Sequence, residues 1–363
     1  MVKALIIGAG AIGRGFLPWC LDSQSEITFI DANETLIHAL SKQGSYLSFM
    51  SHEGQLIEKS VVAKFVSTKN SDFIIPSAYD ICFIAVGPRN IENLPGFLSE
   101  LTCPIFSLEN DSKTVPRIKE KYDIENVFFG VPDVITSCTA SPNNLSRDKF
   151  SLHTEHGTLY LNQAGATDVI FNLANVTWAS ELDMIREWDA KLYIHNTPHC
   201  IAAYLGSLQE CKYVHEALAL PEIYKVVNGV IIEMVDCLRK VTDHDPEMLL
   251  NYANKEIQRF ADLNLYDPIY RVARHPLRKL RPFPNGRLVG ALSLCLSSNS
   301  AYENLLIGIS AALRYRNPLD DDNPNMELIE FFGIRQFLWH YLGIEPNQLV
   351  SDLITSAYES INS

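Results

Sequence analysis

Short apolar runs and longer amphipathic ones occupy different halves of this 363-residue chain. In residues 1–179 the runs are brief and β-rich, at 2–7, 27–30, 79–86, 104–108 and 126–129. Helical or loop-forming stretches separate them, a rhythm that predicts parallel strands joined by crossovers, the doubly wound α/β arrangement. Alternation across 45–66, with His52-Glu53-Gly54 near its middle, predicts an inserted β hairpin, and 150–161 around His156-Gly157 predicts a second. Helices are expected at 91–101 and 112–121. From Ser180 onward the strand signals vanish. Apolar positions then recur three and four apart through 200–208, 222–241, 246–263, 288–296, 303–315, 327–342 and 348–361, which predicts an all-helical second domain over 180–363.

Composition narrows the class of protein without changing that division. A chain of this length suits two domains better than one core. With 47% hydrophobic and 20% charged residues it has the balance of a globular protein in water, and the net charge of −13 argues against nucleic acid or an anionic membrane as partner. No apolar run is long enough to span a bilayer. The eight cysteines are scattered, mostly in apolar runs and without a Cys-x-x-Cys pair, as expected of reduced thiols. Met1-Val2-Lys3 leads directly into a strand with no signal-peptide layout, so a cytoplasmic protein is expected, with a monomer favoured. In so acidic a chain, an anionic small substrate needs a local basic pocket.

The first run is followed at once by Gly8-Ala9-Gly10-Ala11-Ile12-Gly13, then by a helix through Phe16 and Leu17 toward Cys20, and a second strand ending at Asp31. Strand before, helix after and an acidic residue closing the next strand give the Gly-x-Gly-x-x-Gly pattern its meaning: a Rossmann-like dinucleotide site. Gly8, Gly10, Ala11, Ile12 and Gly13 would form the turn that meets the pyrophosphate. The Asp31 carboxylate would accept the adenosine ribose hydroxyls and repel a 2′-phosphate, which favours NAD(H) over NADP(H). Arg14 adds a charge near the phosphates. Gly87 and Asn110 fall at the C-terminal ends of later strands, where ligands bind in open α/β sheets. Asn110 fits a contact to the nicotinamide ribose or substrate, and equally a turn.

Lys191-Leu-Tyr-Ile-His-Asn-Thr-Pro-His199 concentrates the remaining chemistry. Ser180 can cap a helix whose stripe runs through Leu182, Ile185, Trp188 and Leu192, with Lys191 beside that apolar surface. Desolvation favours the neutral amine, so a lysine there can act as a base. Pro198 predicts a break in the helix, with Thr197 as the new cap, Asn196 in the break and His199 in the next first turn. A base, an amide donor and an imidazole would then converge on one hydroxyl. His195 and His199 have the spacing of paired metal ligands, but no glutamate follows His195 and Pro198 interrupts the helix, so no metal is expected. Further on, Arg271, Arg274, Arg278, Lys279 and Arg281 lie in a stretch without an acidic residue. Arginine forks match oxyanions in pairs, so this segment reads either as a seat for a phosphate or carboxylate or as a set of salt bridges.

These stretches together resemble the polyol-specific long-chain dehydrogenases. The resemblance rests on Gly8 to Phe16, on Lys191-x4-Asn196-x2-His199 followed by Ala203-Tyr-Leu-Gly206, and on Pro276-Leu-Arg-Lys-Leu280, which is similar to the phosphate-using branch. Ala85-Val-Gly-Pro88 and Asn304 through Tyr315-Arg316 extend it over nearly the whole chain. It implies NAD as cofactor, a metal-independent hydride transfer, and interconversion of D-mannitol 1-phosphate and D-fructose 6-phosphate, a small-molecule sugar phosphate. Lys191 is implied as general acid/base, Asn196 as the amide that stabilises the developing alkoxide, and His199 as holder of a substrate oxygen. Arg278 and Lys279, with Arg274 and Arg281, are the implied phosphate contacts. The chain departs from the family at Ala11, usually Asn, at Pro198, usually Gly, and at Val134, usually Arg. Those departures keep a hexuronate or free-polyol reductase, or a catalytically silent NAD-binding sensor, as alternatives.

Overall fold

The computed structural model describes residues 1–109, 113–282, 286–317 and 326–360. It divides into two compact units, Met1–Trp188 with Asn264–Tyr266, and Asp189–Leu263 with Asp267–Ser363.

In the first unit, strands β1 (Lys3–Ile7), β2 (Glu26–Asp31), β3 (Ser45–His52), β4 (Gln55–Val62), β5 (Lys64–Ser67), β6 (Ile81–Ile84), β7 (Ile105–Ser107), β8 (Val127–Asp133), β9 (Leu152–Glu155), β10 (Thr158–Asn162) and β11 (Val176–Ala179) form two sheets. The large sheet runs β11-β10-β8-β7-β6-β1-β2-β5, and from β5 to β8 every pair is parallel. That order is the doubly wound one, reversing direction at β1. Alternate residues of one strand feed opposite cores: Ala4, Ile6, Ile27 and Phe29 enter one apolar layer, and Leu5, Ile7, Ile30, Cys82 and Ile84 the other. A parallel strand buried on both faces must be apolar throughout, which is why these runs lack polar alternation.

The inserted hairpin is β3 and β4, in register from Ser45↔Val62 to His52↔Gln55. Glu53 and Gly54 turn it with φ of 50° and 76°, the positive pair that suits the twist of a two-residue turn. The second expected hairpin is not one. β9 joins the small sheet parallel to β3, whereas β10 pairs antiparallel with β8 in the large sheet. Alternation identifies a strand but not its partner. At the crossing, a Cβ on Gly157 would lie 2.5 Å from the Asp133 carbonyl oxygen, so the chain passes between sheets where only glycine fits. The helix expected over 91–101 is also absent. Two short 3₁₀ turns, Ile91–Asn93 and Gly96–Glu100, flank Leu94 and Pro95. Proline drives the residue before it out of the helical region, and Leu94 stands at ψ 152°.

Among its described residues the second unit has no strand, and its helices are Thr197–Leu208, Val214–Leu218, Pro221–Val241, Pro246–Phe260, Ile269–Ala273, Pro276–Leu280, Val289–Ser298, Glu303–Arg314, Met326–Phe332, Ile334–Leu342 and Leu349–Ser360. Proline opens several of these helices, at the position where a missing N–H costs nothing. The continuous helix expected over 327–342 is two, parted by Gly333 at φ +79°. Helix Thr197–Leu208 is clamped by close approaches. A Cβ on Gly308 would meet Ile201 at 2.4 Å, and one on Gly206 would meet Ala217 at 2.6 Å.

The division between units falls after Trp188 rather than at Ser180. Ser180 does cap the helix Glu181–Ala190, its hydroxyl accepting the Asp183 N–H at 3.2 Å. The buried face is not the expected stripe, however. Leu182 and Ile185 are each 53% exposed, while Met184 packs with Trp188, Val131 and Ala179. This apolar contact ties the first turns of the helix to the sheet unit.

On the same helix, Glu187 has its pKa raised to about 7 by burial first, then by Asp133, against a lowering hydrogen bond with Tyr160. A carboxyl group with a raised folded-state pKa stabilises the fold below its unfolded value and loses that contribution as pH rises through about 7. Glu187→Gln is therefore expected to be the more stable protein on the alkaline side, by about 1–2 kcal/mol after allowing for solvent screening of a half-buried group. Thermal melts across pH check this: parallel profiles for the two proteins would mean that Glu187 ionises as in the unfolded chain.

Candidate active site

In the first unit the glycine loop separates two demands on glycine. Gly8 adopts φ +110°, and a Cβ there would lie 2.3 Å from the Ala85 carbonyl oxygen. A Cβ on Gly13 would lie 1.9 Å from the Gly8 carbonyl oxygen. Both are required by the fold. Gly10 is different, because a Cβ there meets no atom of the described residues within 4 Å. Nothing among the described residues explains a glycine at that point, whereas close approach of a pyrophosphate does. The loop thus fits the dinucleotide the sequence implies.

Asp31, at the end of β2, holds the loop. Its Oδ2 accepts the Ala9 N–H at 2.7 Å and its Oδ1 accepts the Asn33 N–H at 2.8 Å, leaving lone pairs for ribose hydroxyls. Ala11 and Ile12 begin a π-helical turn, Ala11–Phe16, in which the Leu17 N–H reaches back to the Ile12 carbonyl. Arg14 in that turn is not a phosphate ligand. It is 7% exposed, donates from Nε to the Ala9 carbonyl at 2.6 Å and from Nη1 to the Phe150 carbonyl at 3.1 Å, and lies over the Tyr46 ring. Burial pushes its pKa down, so the charge braces the loop from inside. Gly87 follows β6 at φ +90°. Its N–H and that of Val86 both donate to Glu109 Oε1 at 2.8 Å, and Glu109 is a buried carboxylate whose bracing role the sequence pattern did not reveal. Asn110 lies outside the described residues.

In the second unit, Lys191–Asn196 form a second π-helical turn between Ala190 and Thr197. The chain does not break at Pro198. Ala190 and Thr197 are both in the right-handed helical region, and the Thr197 N–H bonds to the Leu192 carbonyl, five residues back. Proline cannot bond to the carbonyl four residues earlier and collides with it, and a widened turn absorbs this without leaving the helix. Thr197 Oγ1 adds bonds to the Leu192 and Arg287 carbonyls, at 3.1 and 2.8 Å. The widening has a consequence for the site. A hydrogen bond between residues five apart stacks position i+5 over position i, so Lys191 and Asn196 share a face that an α-helix would not give them.

Every side chain of this turn is buried, Lys191 at 4% and Asn196 at 7% exposure. The Asn196 amide nitrogen has no hydrogen-bond partner among the described residues. A buried amide left unpaired costs about 1–3 kcal/mol, and a substrate oxygen would repay it. The two histidines of this stretch each lie near a carboxylate, His195 hydrogen-bonded to its own and His199 close to but not aligned with its own. His195 Nδ1 lies 2.5 Å from Glu256 Oε2, and Arg259 pairs with the other oxygen. His199 Nε2 lies 3.1 Å from Asp267 Oδ2, and Arg271 donates to Oδ1 from Nε at 2.8 Å and Nη2 at 2.5 Å. Phe260 packs against both rings. Glu256 with Arg259 and Asp267 with Arg271 have the spacings of helical ion pairs, which the sequence displays, but their histidine partners are distant in sequence.

The basic segment divides by role. Arg271 belongs to Asp267. Lys279 is 5% exposed and donates to the Val272 and Arg274 carbonyls, both at 2.5 Å, with its amine 5.5 Å from the Tyr204 ring. Two of its three donors thus close the preceding turn rather than face outward. Arg274 and Arg281 are exposed, and Arg278 is half-buried.

The chain is similar to known proteins along its whole length. Residues 187–332 match the mannitol dehydrogenase C-terminal domain family. The chain is 27% identical to the mannitol-1-phosphate 5-dehydrogenase of Exiguobacterium sibiricum, covering 99% of this chain and 98% of that one. It is 29% identical to the enzyme of the same name from another Exiguobacterium species, over 99% and 98%. Among solved structures, Pseudomonas fluorescens mannitol 2-dehydrogenase, in ternary complex with NAD and D-mannitol, superposes with a TM-score of 0.77 at 14% identity, covering 100% of this chain and 92% of that one. A 2-dehydropantoate 2-reductase from Geobacter metallireducens is a more distant likeness, with a TM-score of 0.54 and 15% identity over 86% of this chain and 99% of that one.

Proposed function

We propose, from the match of residues 187–332 to the mannitol dehydrogenase C-terminal domain family, that the chain is an NAD-dependent oxidoreductase interconverting D-mannitol 1-phosphate and D-fructose 6-phosphate. The sheet unit holds the cofactor through Gly8, Gly10, Ala11, Ile12, Gly13, Asp31 and Gly87, and the helical unit holds the substrate. The observation that carries this reading is the π-helical turn, which sets a buried lysine and a buried, unpartnered amide on one face.

Lys191 takes the hydroxyl proton in oxidation and returns it in reduction, a role worth about 10²–10⁴-fold in rate. The Asn196 amide donates to the oxygen as charge develops on it, worth about 3 kcal/mol for a donor in a dry site. His199 holds a further substrate oxygen. NAD supplies the two-electron step, exchanging hydride with the substrate carbon. Arg274, Arg278 and Arg281 meet the phosphate, with Lys279 as a buried charge behind them. One chain supplies every residue in this scheme, so the working unit is taken as a monomer. Eight free cysteines suit a reducing compartment, and a cytoplasmic location belongs to the proposal. No described helix is long and apolar enough to cross a membrane.

Oxidation of NADH, followed optically with fructose 6-phosphate, free fructose and a hexuronate, tests the reading. Turnover is expected with the phosphorylated ketose. Binding of NADH without turnover on any of the three would favour a sensor instead. Arg278→Ala should raise KM for fructose 6-phosphate about tenfold or more with little change in kcat, since a charged hydrogen bond to phosphate forms equally in ground and transition states. An unaltered KM would remove Arg278 from the phosphate site.

A further inference from the structure

Arg287 is held by its backbone from three sides. Thr197 Oγ1, in the widened turn, donates to the Arg287 carbonyl at 2.8 Å. The N–H of Leu288, the next residue, donates to the Lys279 carbonyl at 3.0 Å. Before it, Gly286 lies so close to the Arg281 carbonyl that a Cβ would overlap the oxygen. The guanidinium itself has no hydrogen bond or ion pair among the described residues. Arg259 and Arg271 of the same unit each grip a carboxylate. In a chain with 43 acidic residues against 30 lysines and arginines, a carboxylate for Arg287 was not in short supply. The side chain is half-buried. Burial pushes its pKa down, and what opposes this is the Cys200 thiol and the Tyr204 phenol, types of group that are uncharged at neutral pH. A partly desolvated cation without a counter-charge costs a fold stability.

The place of that cation is informative. Cys200 and Tyr204 belong to the helix Thr197–Leu208, four and eight residues beyond Asn196. Those spacings set them on the side of the helix that Asn196 begins, about 6 and 12 Å along its axis. Lys279 stands near the same spot: its charge also acts on the Cys200 thiol, and its amine is 5.5 Å from the Tyr204 ring centroid.

We propose that Arg287 is a specificity-determining residue that grips the phosphate of the sugar substrate while Asn196 meets the reacting oxygen towards the other end of the carbon chain. This rests on the oxidoreductase reading for the substrate and adds the residue that sorts phosphorylated from free sugars. A guanidinium presents paired N–H donors that match two oxygens of a phosphate monoester. The anion supplies the counter-charge that the described residues do not, so binding relieves a cost the free protein carries. Thr197, the residue after Asn196, anchors the Arg287 carbonyl, so the turn that presents the amide also fixes where the guanidinium starts. A free hexitol offers only hydroxyls at that place and gains none of this.

The test titrates the NADH-loaded protein calorimetrically with mannitol 1-phosphate and with mannitol, so that the cofactor's own phosphate site is filled and no turnover occurs. In Arg287→Gln, affinity for mannitol 1-phosphate should fall about 10- to 100-fold, as for the loss of a charged hydrogen bond, while affinity for mannitol stays within about threefold. Arg287→Lys should recover part of the loss, because the charge returns without the fork. The melting temperature of ligand-free Arg287→Gln should equal or exceed that of wild type, since a cation without a counter-charge has been removed. Unaltered affinity for the phosphate ester in Arg287→Gln overturns the proposal. So does a lower melting temperature, which would mean that the guanidinium serves the fold. A wild-type protein that ignores mannitol 1-phosphate but binds inorganic phosphate or glucuronate, with the binding lost in Arg287→Gln, supports the oxyanion role and counts against the substrate reading alone. Binding of none of these anions through Arg287 overturns the proposal.

Discussion

Lys191→Met should lose about 10³-fold in kcat in both reaction directions while binding NADH as the wild-type protein does. The two directions fall together because one amine removes the proton in oxidation and supplies it in reduction. Methionine has nearly the same length and no charge, so at a position 4% exposed it fills the space without stranding an ammonium. The thermal midpoint should accordingly stay within a few degrees, which separates a chemical loss from an unfolded enzyme. NADH affinity, read by fluorescence, should not move, because the glycine loop belongs to the sheet unit and Lys191 to the helical one. Turnover within tenfold of wild type would take Lys191 out of the mechanism and leave Asn196 and His199 without a base to serve.

The second large effect is a contrast between two glycines three residues apart. Gly13→Ala places a methyl group 1.9 Å from the Gly8 carbonyl oxygen, and backbone cannot withdraw as a side-chain tip could. A cost of about 3 kcal/mol or more is expected, enough to lower the melting temperature by roughly 10 °C. Gly10→Ala meets no atom of the described residues within 4 Å, so stability should change by less than about 0.5 kcal/mol. Its loss should appear in NADH binding instead, weakened about tenfold or more, because the new methyl group stands where the pyrophosphate approaches. Melting curves and NADH titrations on the two variants check both halves. A Gly10→Ala protein that binds NADH normally would mean the cofactor does not approach Gly10.

Much of this site was legible in the order of residues because its requirements are local. A glycine turn, the strand before it and the aspartate ending the next strand are fixed within thirty-one positions. The apolar run of β1 reports burial on both faces, and the β3–β4 turn announces itself through Gly54. The prolines that open helices likewise act on their own first turn. Other features depended on partners far along the chain. Arg14 looked like a phosphate ligand because sequence shows its charge, whereas Phe150, 136 positions away, supplies a carbonyl that holds it inward. His156-Gly157 looked like a hairpin because alternation cannot say which strand lies alongside. Lys279, a phosphate contact by resemblance, donates to the Val272 and Arg274 carbonyls, which its place in the sequence does not show.

What the sequence determined by itself is therefore the class of the molecule: a glycine loop of dinucleotide type, then a helical half that carries lysine, asparagine and histidine at fixed spacing. Only tertiary structure decided how those groups are presented. The carboxylates of Glu256 and Asp267, set beside His195 and His199, come from segments about 60 residues or more further along the chain. Spacing along a chain sets which face a side chain can reach, while hydrogen bonding across the fold sets which of its atoms bears the proton.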